Sequence, residues 1–378
     1  MKIGIVTFWS SLDNYGQVLQ SYALQQYLRM QGHEAYSIRY EERKPYPNIF
    51  MSHSFWALFQ RMKKKVLHRK DYLLHRSVYE KNLVRNFDQF KERYIVYSDK
   101  RYYKLRELKK HPPKADMYVT GSDQVWGRNP EKQSEAPYYL KFGDSQTKRV
   151  AYAASLGPST FFDNRLDLFR SLMAGIDYVS VREKSRLALF RESGITASWV
   201  LDPVFLLDAA DYRLLSSGTS SRKSFVYVYA INITKASQIE YEDLQKYARE
   251  AGLDIVVTPS SGYFAFEELF SGAEYEYSTI EQWIDNINQA ELVVTTSFHG
   301  IMFCLMFHKD FVFVPLRNSL AKGNSRVEDL LNDLNLNNRI WRDSYEKVLN
   351  HSIDWAFVDS RLSEWKKASC LFLSQCGC

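Results

Sequence analysis

Cysteine is scarce in this sequence, with only four residues in a chain of 378. Cys304, Cys370, Cys376 and Cys378 are too few and too clustered to form the framework of a disulfide-rich protein. The last two supply two thiols, which is half the ligand set of a structural zinc site. The sequence therefore predicts neither a disulfide framework nor a metal site.

Long apolar runs are also missing. The apolar segment at residues 3–6 follows Lys2 and is far too short for a signal peptide. No later segment reaches the roughly 18 uninterrupted apolar residues of a membrane-spanning helix. The dinucleotide fingerprint Gly-x-Gly-x-x-Gly is absent as well. These absences predict a soluble, cytoplasmic protein that lacks this type of nucleotide site.

The composition is that of a globular protein, with 45% hydrophobic and 25% charged residues. Aromatic residues are abundant, at 26 Tyr and 23 Phe, and such rings suit sugar stacking, although many belong to a core. The net charge of +6 favours an anionic partner without requiring nucleic acid, because acidic residues are interspersed with the basic ones. We therefore expect no nucleic-acid partner.

Strand-like and helix-like segments alternate along the chain. Residues 2–8 predict a buried parallel strand, residues 17–30 a helix and residues 35–40 a second strand. After a polar linker at residues 214–223, the alternation restarts with a strand at residues 224–229. This pattern predicts an α/β protein with two Rossmann-like domains facing a cleft. The predicted units are residues 1–213, residues 224–345 and a helical tail at 346–378 that packs back across the domains.

The pattern changes at residues 41–111, where charged and aromatic helical segments with little β character predict a helical insertion in the first domain. Residues 61–70 within it form a basic run. A solvated helix face explains such a run, and contact with an anionic acceptor or with the inner face of a membrane is the functional alternative.

Within the C-terminal half, an apolar run breaks at Ser297 to Gly300, in the segment Thr-Thr-Ser-Phe-His-Gly of residues 295–300. A strand that passes through Ser297, His299 and Gly300 into a helix leaves unpaired N–H groups and a positive dipole end at its junction. Such a junction can bind an anion and present an imidazole to it. The alternative is that the hydroxyl residues only cap a helix and His299 packs in the core.

Polar residues also follow other predicted strands, where the loops of an open α/β sheet line the ligand crevice. Asn14, Tyr15 and Gly16 follow the first strand, either as ligand donors or as turn residues. Asp123 lies in a loop beside Trp126, either to hold and activate a hydroxyl or to cap a turn. Arg182 can grip a carboxylate or phosphate, or form a structural ion pair with a neighbouring acid.

Several of these motifs occur together in an order that resembles the polysaccharide pyruvyl transferase family. The motifs are Asn14-Tyr15-Gly16-Gln17, Gly121-Ser122-Asp123-Gln124-Val125-Trp126, Ser180-Val181-Arg182-Glu183, Leu201-Asp202-Pro203 and Ser297-Phe298-His299-Gly300. The resemblance implies a GT-B-like fold, an acceptor side in the first domain and a donor side in the second. It also implies phosphoenolpyruvate as donor, and as acceptor a sugar of a surface polysaccharide or its lipid-linked precursor.

By the same resemblance, Asp123, Arg182 and His299 match the acidic, arginine and histidine positions of the active site. Many members carry Arg-Leu-His-Gly where this chain has Ser297-Phe298-His299-Gly300. A donor-binding arginine is therefore missing at Ser297, and Arg326 or Lys322 is the candidate to replace its charge.

The chemistry of ketal transfer supports these assignments. Carboxylate and phosphate groups require guanidinium, ammonium and helix-terminal N–H groups, for which Arg182, Arg326 and the helix start at Gly300 are candidates. His299 is the candidate for proton transfer, and Asp123 for orienting the attacking hydroxyl. Trp126 and Tyr15 are the candidate sugar platforms. No step requires a metal or redox cofactor.

Two other functions fit the same predicted cleft. The first is a GT-B glycosyltransferase that uses a nucleotide sugar. The second is a non-catalytic glycan-binding homologue, for which Ser297 in place of arginine is the motivation. The sequence leaves the acceptor sugar, its linkage and the oligomeric state open.

Overall fold

The computed structural model describes residues 1–10, 14–41, 83–216, 218, 224–259 and 268–378. The basic run at residues 61–70 lies outside the described residues, as does most of the predicted linker at 214–223.

The first sheet has seven parallel strands in the order β3-β2-β1-β4-β5-β6-β7. The strands are β1 (Lys2–Val6), β2 (Glu34–Tyr40), β3 (Tyr97–Tyr102), β4 (Met117–Thr120), β5 (Lys148–Ala154), β6 (Tyr178–Val181) and β7 (Ser198–Trp199). Most are short apolar runs, as expected where helices cover both faces of a parallel sheet. Their carboxyl ends all lie at one edge.

Six described α-helices accompany this sheet. They are α1 (Tyr15–Met30), α2 (Phe87–Tyr94), α3 (Leu105–Lys110), α4 (Leu166–Met173), α5 (Leu187–Glu192) and α6 (Ala209–Arg213). Helix α1 begins at Asn14, whose side chain accepts a hydrogen bond from the Gln17 backbone N–H at 3.1 Å. It is followed by Gly32, whose φ of +84° lets the chain reverse into β2.

The second sheet has five parallel strands in the order β10-β9-β8-β11-β12. The strands are β8 (Phe225–Tyr229), β9 (Asp254–Val257), β10 (Glu274–Tyr275), β11 (Leu292–Thr295) and β12 (Asp310–Phe313). The described helices of this half and of the C-terminal segment are α7 (Tyr241–Ala251), α8 (Ile280–Gln289), α9 (Phe298–Phe307), α10 (Ser325–Asp333), α11 (Tyr345–Leu349) and α12 (Trp355–Gln375).

The prediction of little β character at residues 41–111 is wrong for the part that the structure describes. Strand β3 falls inside this range and pairs with β2, for example Ser37 with Tyr97. Its sequence, Tyr-Ser-Asp-Lys-Arg-Tyr, is polar because β3 lies at the edge of the sheet. Edge strands tolerate charged residues that a central strand does not, so the apolar pattern failed to indicate it.

A β-bulge lies near the end of β5, at the carboxyl edge of the sheet. The register between β5 and β6 shifts between Ala151 and Ala154, and Ala153 adopts a φ of +51°. Beyond the bulge, Ala154 forms an isolated parallel β-bridge with Asp123. The Ser155 N–H donates to the Asp123 carbonyl at 3.1 Å. The bulge thus ties the Asp123 loop to the end of β5.

The two halves share one apolar core. Tyr15 at the start of α1 stacks on Trp283 of α8, with ring centroids 5.2 Å apart. Its hydroxyl donates to the Ser278 carbonyl at 2.6 Å. Both rings are fully buried, so the start of α1 is held against the second half by packing as well as by a hydrogen bond.

Helix α12 returns to the first half and also contacts the second. The Ser369 hydroxyl accepts from the Leu201 N–H at 2.9 Å, while Asp359 lies 2.8 Å from the imidazole of His308. None of the helices in the described part of the chain combines the length and apolar character needed to cross a membrane.

Candidate active site

The centre of the site is a buried ion pair between Arg182 and Asp202. Arg182 directly follows β6, and its Nη1 donates to Asp202 Oδ2 at 2.6 Å. The Ser122 hydroxyl, which follows β4, donates to the same oxygen at 3.0 Å. Asp202 also accepts the Val204 N–H through Oδ1, so both oxygens are occupied. Buried charges require such saturation, because an unpaired charge in the interior is costly.

The electrostatics of this pair favour its charged form. Burial alone would raise the pKa of Asp202, but the adjacent His299 and Arg182 outweigh burial and hold that pKa well below its usual range. Burial alone would lower the pKa of Arg182, and the carboxylates of Asp202, Glu183 and Asp123 raise it instead. The pair therefore remains a carboxylate and a guanidinium at neutral pH.

His299 lies in the first turn of α9 and points toward Asp202. Ser297 caps this helix by accepting the Gly300 N–H at 3.3 Å. The Nε2 atom of His299 is 3.7 Å from Asp202 Oδ2, which is beyond hydrogen-bond range but close enough for strong attraction to an imidazolium. Within the described residues, that buried nitrogen has no hydrogen-bond partner.

Gly16 fixes the position of the imidazole from the other side. A Cβ atom built on Gly16 would lie 2.1 Å from Nδ1 of His299, so any side chain there would displace the ring. Gly16 belongs to the first half and His299 to the second. The site is therefore completed only where the two halves meet.

A second guanidinium comes from α10. Arg326 and Arg182 both lie over the ring of Phe298, with Cζ atoms 5.3 and 5.0 Å from its centroid. Burial and the nearby charge of Arg182 lower the pKa of Arg326. The Nε groups of both arginines are buried and lack hydrogen-bond partners among the described residues. Unsatisfied buried donors of this kind mark a place where a ligand group can bind.

Glu183 balances part of this charge. Its Oε1 accepts a hydrogen bond from the Ser155 hydroxyl and lies 3.8 Å from Nε of Arg182. Its other oxygen is buried without a hydrogen-bond partner among the described residues. The cavity bordered by Arg182, Glu183, Phe298 and Arg326 measures about 30 Å³, enough for one or two water molecules.

Asp123 lies at the margin of this cluster. Its φ of +83° is uncommon for a residue with a side chain and turns the loop sharply after β4. Oδ1 accepts the Gln124 N–H at 2.8 Å, and Oδ2 accepts the Gln17 side-chain amide at 2.6 Å. The carboxylate is thereby oriented by α1, the same helix that carries Gly16.

Of the remaining residues predicted for the site, three form helix starts and one is an exposed lysine. Asn14, Ser297 and Gly300 form the helix starts, and Gly300 is required because a Cβ there would lie 2.6 Å from the Thr295 hydroxyl. Lys322 is exposed and forms no ion pair with any described residue. Of the two cations considered as replacements for the arginine missing at Ser297, the structure brings only Arg326 to Phe298.

The prediction that Trp126 and Tyr15 are sugar platforms is contradicted by their burial. Trp126 is 0% exposed, stacks on Tyr139 and donates from Nε1 to the Tyr138 carbonyl at 2.9 Å. Tyr15 is also 0% exposed and packs against Trp283. Both rings follow strand ends, but their apolar faces turn into the cores, where burial of large aromatic rings is most favourable.

Sequence reasoning did not identify Asp202, Glu183 and Phe298 as site residues. Asp202 follows β7, which is only two residues long and gives no clear apolar pattern. The available signal was the Leu201-Asp202-Pro203 motif, in which an acidic residue follows a predicted strand as Asp123 does. Phe298 resembled a core residue, and only tertiary packing places it under two guanidinium groups.

Comparison with known proteins supports the same fold. The chain resembles a protein from Listeria monocytogenes described as a UDP-N-acetylglucosamine 2-epimerase, with 10% identity, a TM-score of 0.50, and 96% of this chain and 94% of that chain covered. It is also similar to the UDP-GlcNAc 2-epimerase of Neisseria meningitidis bound to UDP-GlcNAc, with 8% identity, a TM-score of 0.48 and coverage of 98% and 94%. A third neighbour is the glycosyltransferase SnogD from Streptomyces nogalater, with 12% identity, a TM-score of 0.44 and coverage of 100% and 99%.

At such low identity the likeness concerns the fold alone, and it confirms the predicted GT-B-like pair of Rossmann-like domains. No curated protein matches the chain. The sequence model of the polysaccharide pyruvyl transferase family matches residues 14–318. This range is more than half of the chain and includes Arg182 and His299. The chain therefore belongs to the polysaccharide pyruvyl transferase family.

Proposed function

We propose that this protein transfers a pyruvyl group from phosphoenolpyruvate to a sugar of a surface polysaccharide or its precursor, forming a pyruvate ketal. The observation that carries the proposal is the pair of buried guanidinium groups over Phe298, next to an imidazole at a helix start. Membership of the family supports the reaction type.

The donor has two anionic groups, a carboxylate and a phosphate. Arg182 and Arg326 each offer a buried N–H that has no hydrogen-bond partner in the described part of the chain. Guanidinium groups suit both anions because their planar fork can donate two parallel hydrogen bonds. Held by Asp202 and by Phe298, these two side chains lose little conformational freedom when the donor binds.

A cavity of about 30 Å³ is too small for phosphoenolpyruvate, so a movement is needed before the donor can bind. Lys184 of the first half forms an ion pair with Asp333 at the end of α10, beside the cavity. A small separation of α10 from the segment after β6 would open the space between Arg182 and Arg326. Closure after binding would then exclude water from the reacting groups.

The reaction joins two sugar hydroxyl oxygens to the central carbon of phosphoenolpyruvate, which is the carbon that carries the phosphate. A proton is added to the methylene carbon, and the first hydroxyl oxygen bonds to the central carbon. The bond from that carbon to the phosphate oxygen then breaks, inorganic phosphate leaves, and the second hydroxyl closes the ketal. The two hydroxyl protons balance the equation, one remaining in the new methyl group and one leaving with phosphate or the solvent.

His299 is the candidate for delivering the proton to the methylene carbon. Its Nε2 lies 3.7 Å from Asp202 Oδ2, and a positioned imidazole is the side chain used most often for proton transfer. Because the pKa of Asp202 is held low by its neighbours, this carboxylate remains ionised and does not compete for the proton. Asp123, oriented by Gln17, is the candidate for receiving a proton from the attacking hydroxyl.

The direct experiment is incubation of the protein with phosphoenolpyruvate and a panel of acceptor glycans. We expect acceptor-dependent phosphate release together with a mass gain of one pyruvyl ketal on the glycan. Absence of both across a broad panel would count strongly against the proposal.

Donor identity can be tested separately by thermal shift. We expect phosphoenolpyruvate to raise the unfolding temperature and nucleotide sugars to leave it unchanged, because only a bound ligand stabilises the folded state. Arg326→Gln should weaken the shift, whereas Arg317→Gln, which removes an exposed arginine paired with Glu240, should retain it. Stabilisation by nucleotide sugars alone would instead favour an ordinary glycosyltransferase.

A further inference from the structure

A second arginine–aromatic pair lies at the same edge of the first sheet, outside the donor site. Phe8 follows β1, and Arg128 follows Asp123 in the loop after β4. The Cζ atom of Arg128 is 4.3 Å from the centroid of the half-buried Phe8 ring. Phe8 in turn packs edge-on against Tyr138, with centroids 5.1 Å apart. The guanidinium is therefore positioned by a ring that is itself anchored in the core.

Two other arginines at this edge have hydrogen-bond or ion-pair partners. Arg39 donates to the carbonyls of Ser98 and Asp99 at 2.9 and 2.6 Å. Arg101, which lies over Trp9, is paired with Glu41. Arg128 is exposed and forms no hydrogen bond or ion pair with any residue of the described ranges.

Arg128 belongs to the same loop after β4 as Asp123, the carboxylate proposed to receive the acceptor proton. Tyr138 is buried, and burial raises its pKa, while the charges of Arg128 and Asp123 act on it in opposite directions. Both charged groups therefore lie within electrostatic range of one phenol. Asp123 and Arg128 are thus carried by one loop at the carboxyl edge of the first sheet, the edge that an acceptor must reach to contact Asp123.

We propose that Arg128, held by Phe8, binds a carboxylate or phosphate group on the acceptor glycan. A guanidinium that is already oriented, and whose N–H groups have no hydrogen-bond partner among the described residues, suits bidentate recognition of such an anion. The acceptor would then be an acidic sugar or a sugar joined to phosphate, and Arg128 would determine that preference. This inference rests on the proposed function and specifies the substrate class of the same site.

The test compares matched acceptors at saturating phosphoenolpyruvate. The probes are a neutral methyl hexoside, the corresponding methyl hexuronide and the corresponding hexosyl phosphate. We expect the wild-type protein to prefer one of the charged probes over the neutral one, and the identity of the preferred probe distinguishes carboxylate from phosphate recognition. Equal use of neutral and charged probes would overturn the inference while leaving pyruvyl transfer intact.

Substitutions test whether Arg128 causes the preference for a charged acceptor. Arg128→Gln should raise the KM for the charged acceptor by about 10- to 100-fold, with the KM for phosphoenolpyruvate unchanged, because one charge-assisted contact is lost. Arg128→Lys should recover part of the loss, and Phe8→Leu should show a smaller loss through poorer orientation. Arg101→Gln is the matched control and should retain the wild-type KM.

If no pyruvyl transfer is detected, a binding measurement still tests the Arg128 anion site separately from the transferase proposal. Calorimetric titration of the charged probes into the wild-type protein and into Arg128→Gln measures the contact without turnover. A Kd that is unchanged by the substitution would overturn the role of Arg128. An Arg128-dependent Kd without phosphate release would support the anionic glycan site and argue against the transferase proposal.

Discussion

The two ends of helix α9 each carry a histidine facing an aspartate, and the two pairs differ in almost every other respect. His308 at the C-terminal end lies 2.8 Å from Asp359, whereas His299 at the N-terminal end lies 3.7 Å from Asp202. The side chains of the first pair are 48% and 52% exposed, and those of the second are 12% and 0% exposed. The closer pair is therefore the one that solvent screens more strongly.

The comparison shows that proximity of a histidine and a carboxylate does not identify a functional site. Asp202 also binds Arg182 and Ser122, and the buried Nε2 of His299 has no hydrogen-bond partner among the described residues. His308 instead stacks on Trp355 at the surface, with centroids 4.7 Å apart. Burial, a shared buried carboxylate and free N–H donors distinguish the candidate active site.

The largest expected effect comes from removing the imidazole at the N-terminal end. We expect His299→Ala to reduce phosphate release by about 10²- to 10⁴-fold, the usual contribution of a general acid or base. His308→Ala, at the other end of the helix, is the control and should retain near-normal turnover. Near-normal turnover of the His299 variant with an unchanged fold would remove His299 from the mechanism.

Asp202→Asn should reduce the stability of the protein by about 3 to 5 kcal/mol at neutral pH, because it leaves the Arg182 guanidinium buried without its counterion. The pKa of Asp202 lies below that of an unfolded aspartate, so the stabilisation is fully present above about pH 4. It is lost as the pH falls from there toward the lower folded pKa.

Urea denaturation at several pH values measures this effect. The difference between wild type and Asp202→Asn should narrow as the pH is lowered below about 4. Asp359→Asn, in the exposed pair, should show a small difference at neutral pH. A difference for Asp202→Asn that is independent of pH would contradict the role of its charge.

A smaller effect is expected from Gly16→Ala, which introduces a methyl group where the His299 ring lies. Overpacking of this kind costs about 1 to 3 kcal/mol, and displacement of the imidazole should also lower turnover. Gly323→Ala is the control, because a Cβ there meets no atom within 4 Å. Wild-type unfolding and turnover in the Gly16 variant would show that His299 does not require this contact.

The smallest effect is expected at the exposed pair. His308→Ala should change the free energy of unfolding by less than about 1 kcal/mol, and the part due to the ion pair should vanish at high salt. Denaturation midpoints in low and high salt provide the measurement. A loss of stability as large as that of Asp202→Asn would show that solvent exposure does not explain the difference between the two histidine–aspartate pairs.

Much of the fold was predictable from local patterns. The apolar patterns at residues 2–8 and 17–30 predict a strand and a helix from neighbouring residues alone, and the structure has these elements at Lys2–Val6 and Tyr15–Met30. Strand β3 was missed because its polar residues suit an edge. The roles of Trp126 and Tyr15 were wrong because position after a strand does not determine whether a ring faces the crevice or the core.

The sequence by itself determined that polar and charged residues follow several buried strands, and that one of them is a histidine at a helix start. It determined this because apolar periodicity and capping are local properties of the chain. Only the tertiary structure decided which of these residues meet. Asp202, Arg182, His299 and Arg326 come from separate segments of both halves, and their contacts depend on how the two sheets pack against each other. The position of Arg326 beside Phe298 is likewise decided by tertiary packing, because the two residues lie on different helices, α10 and α9.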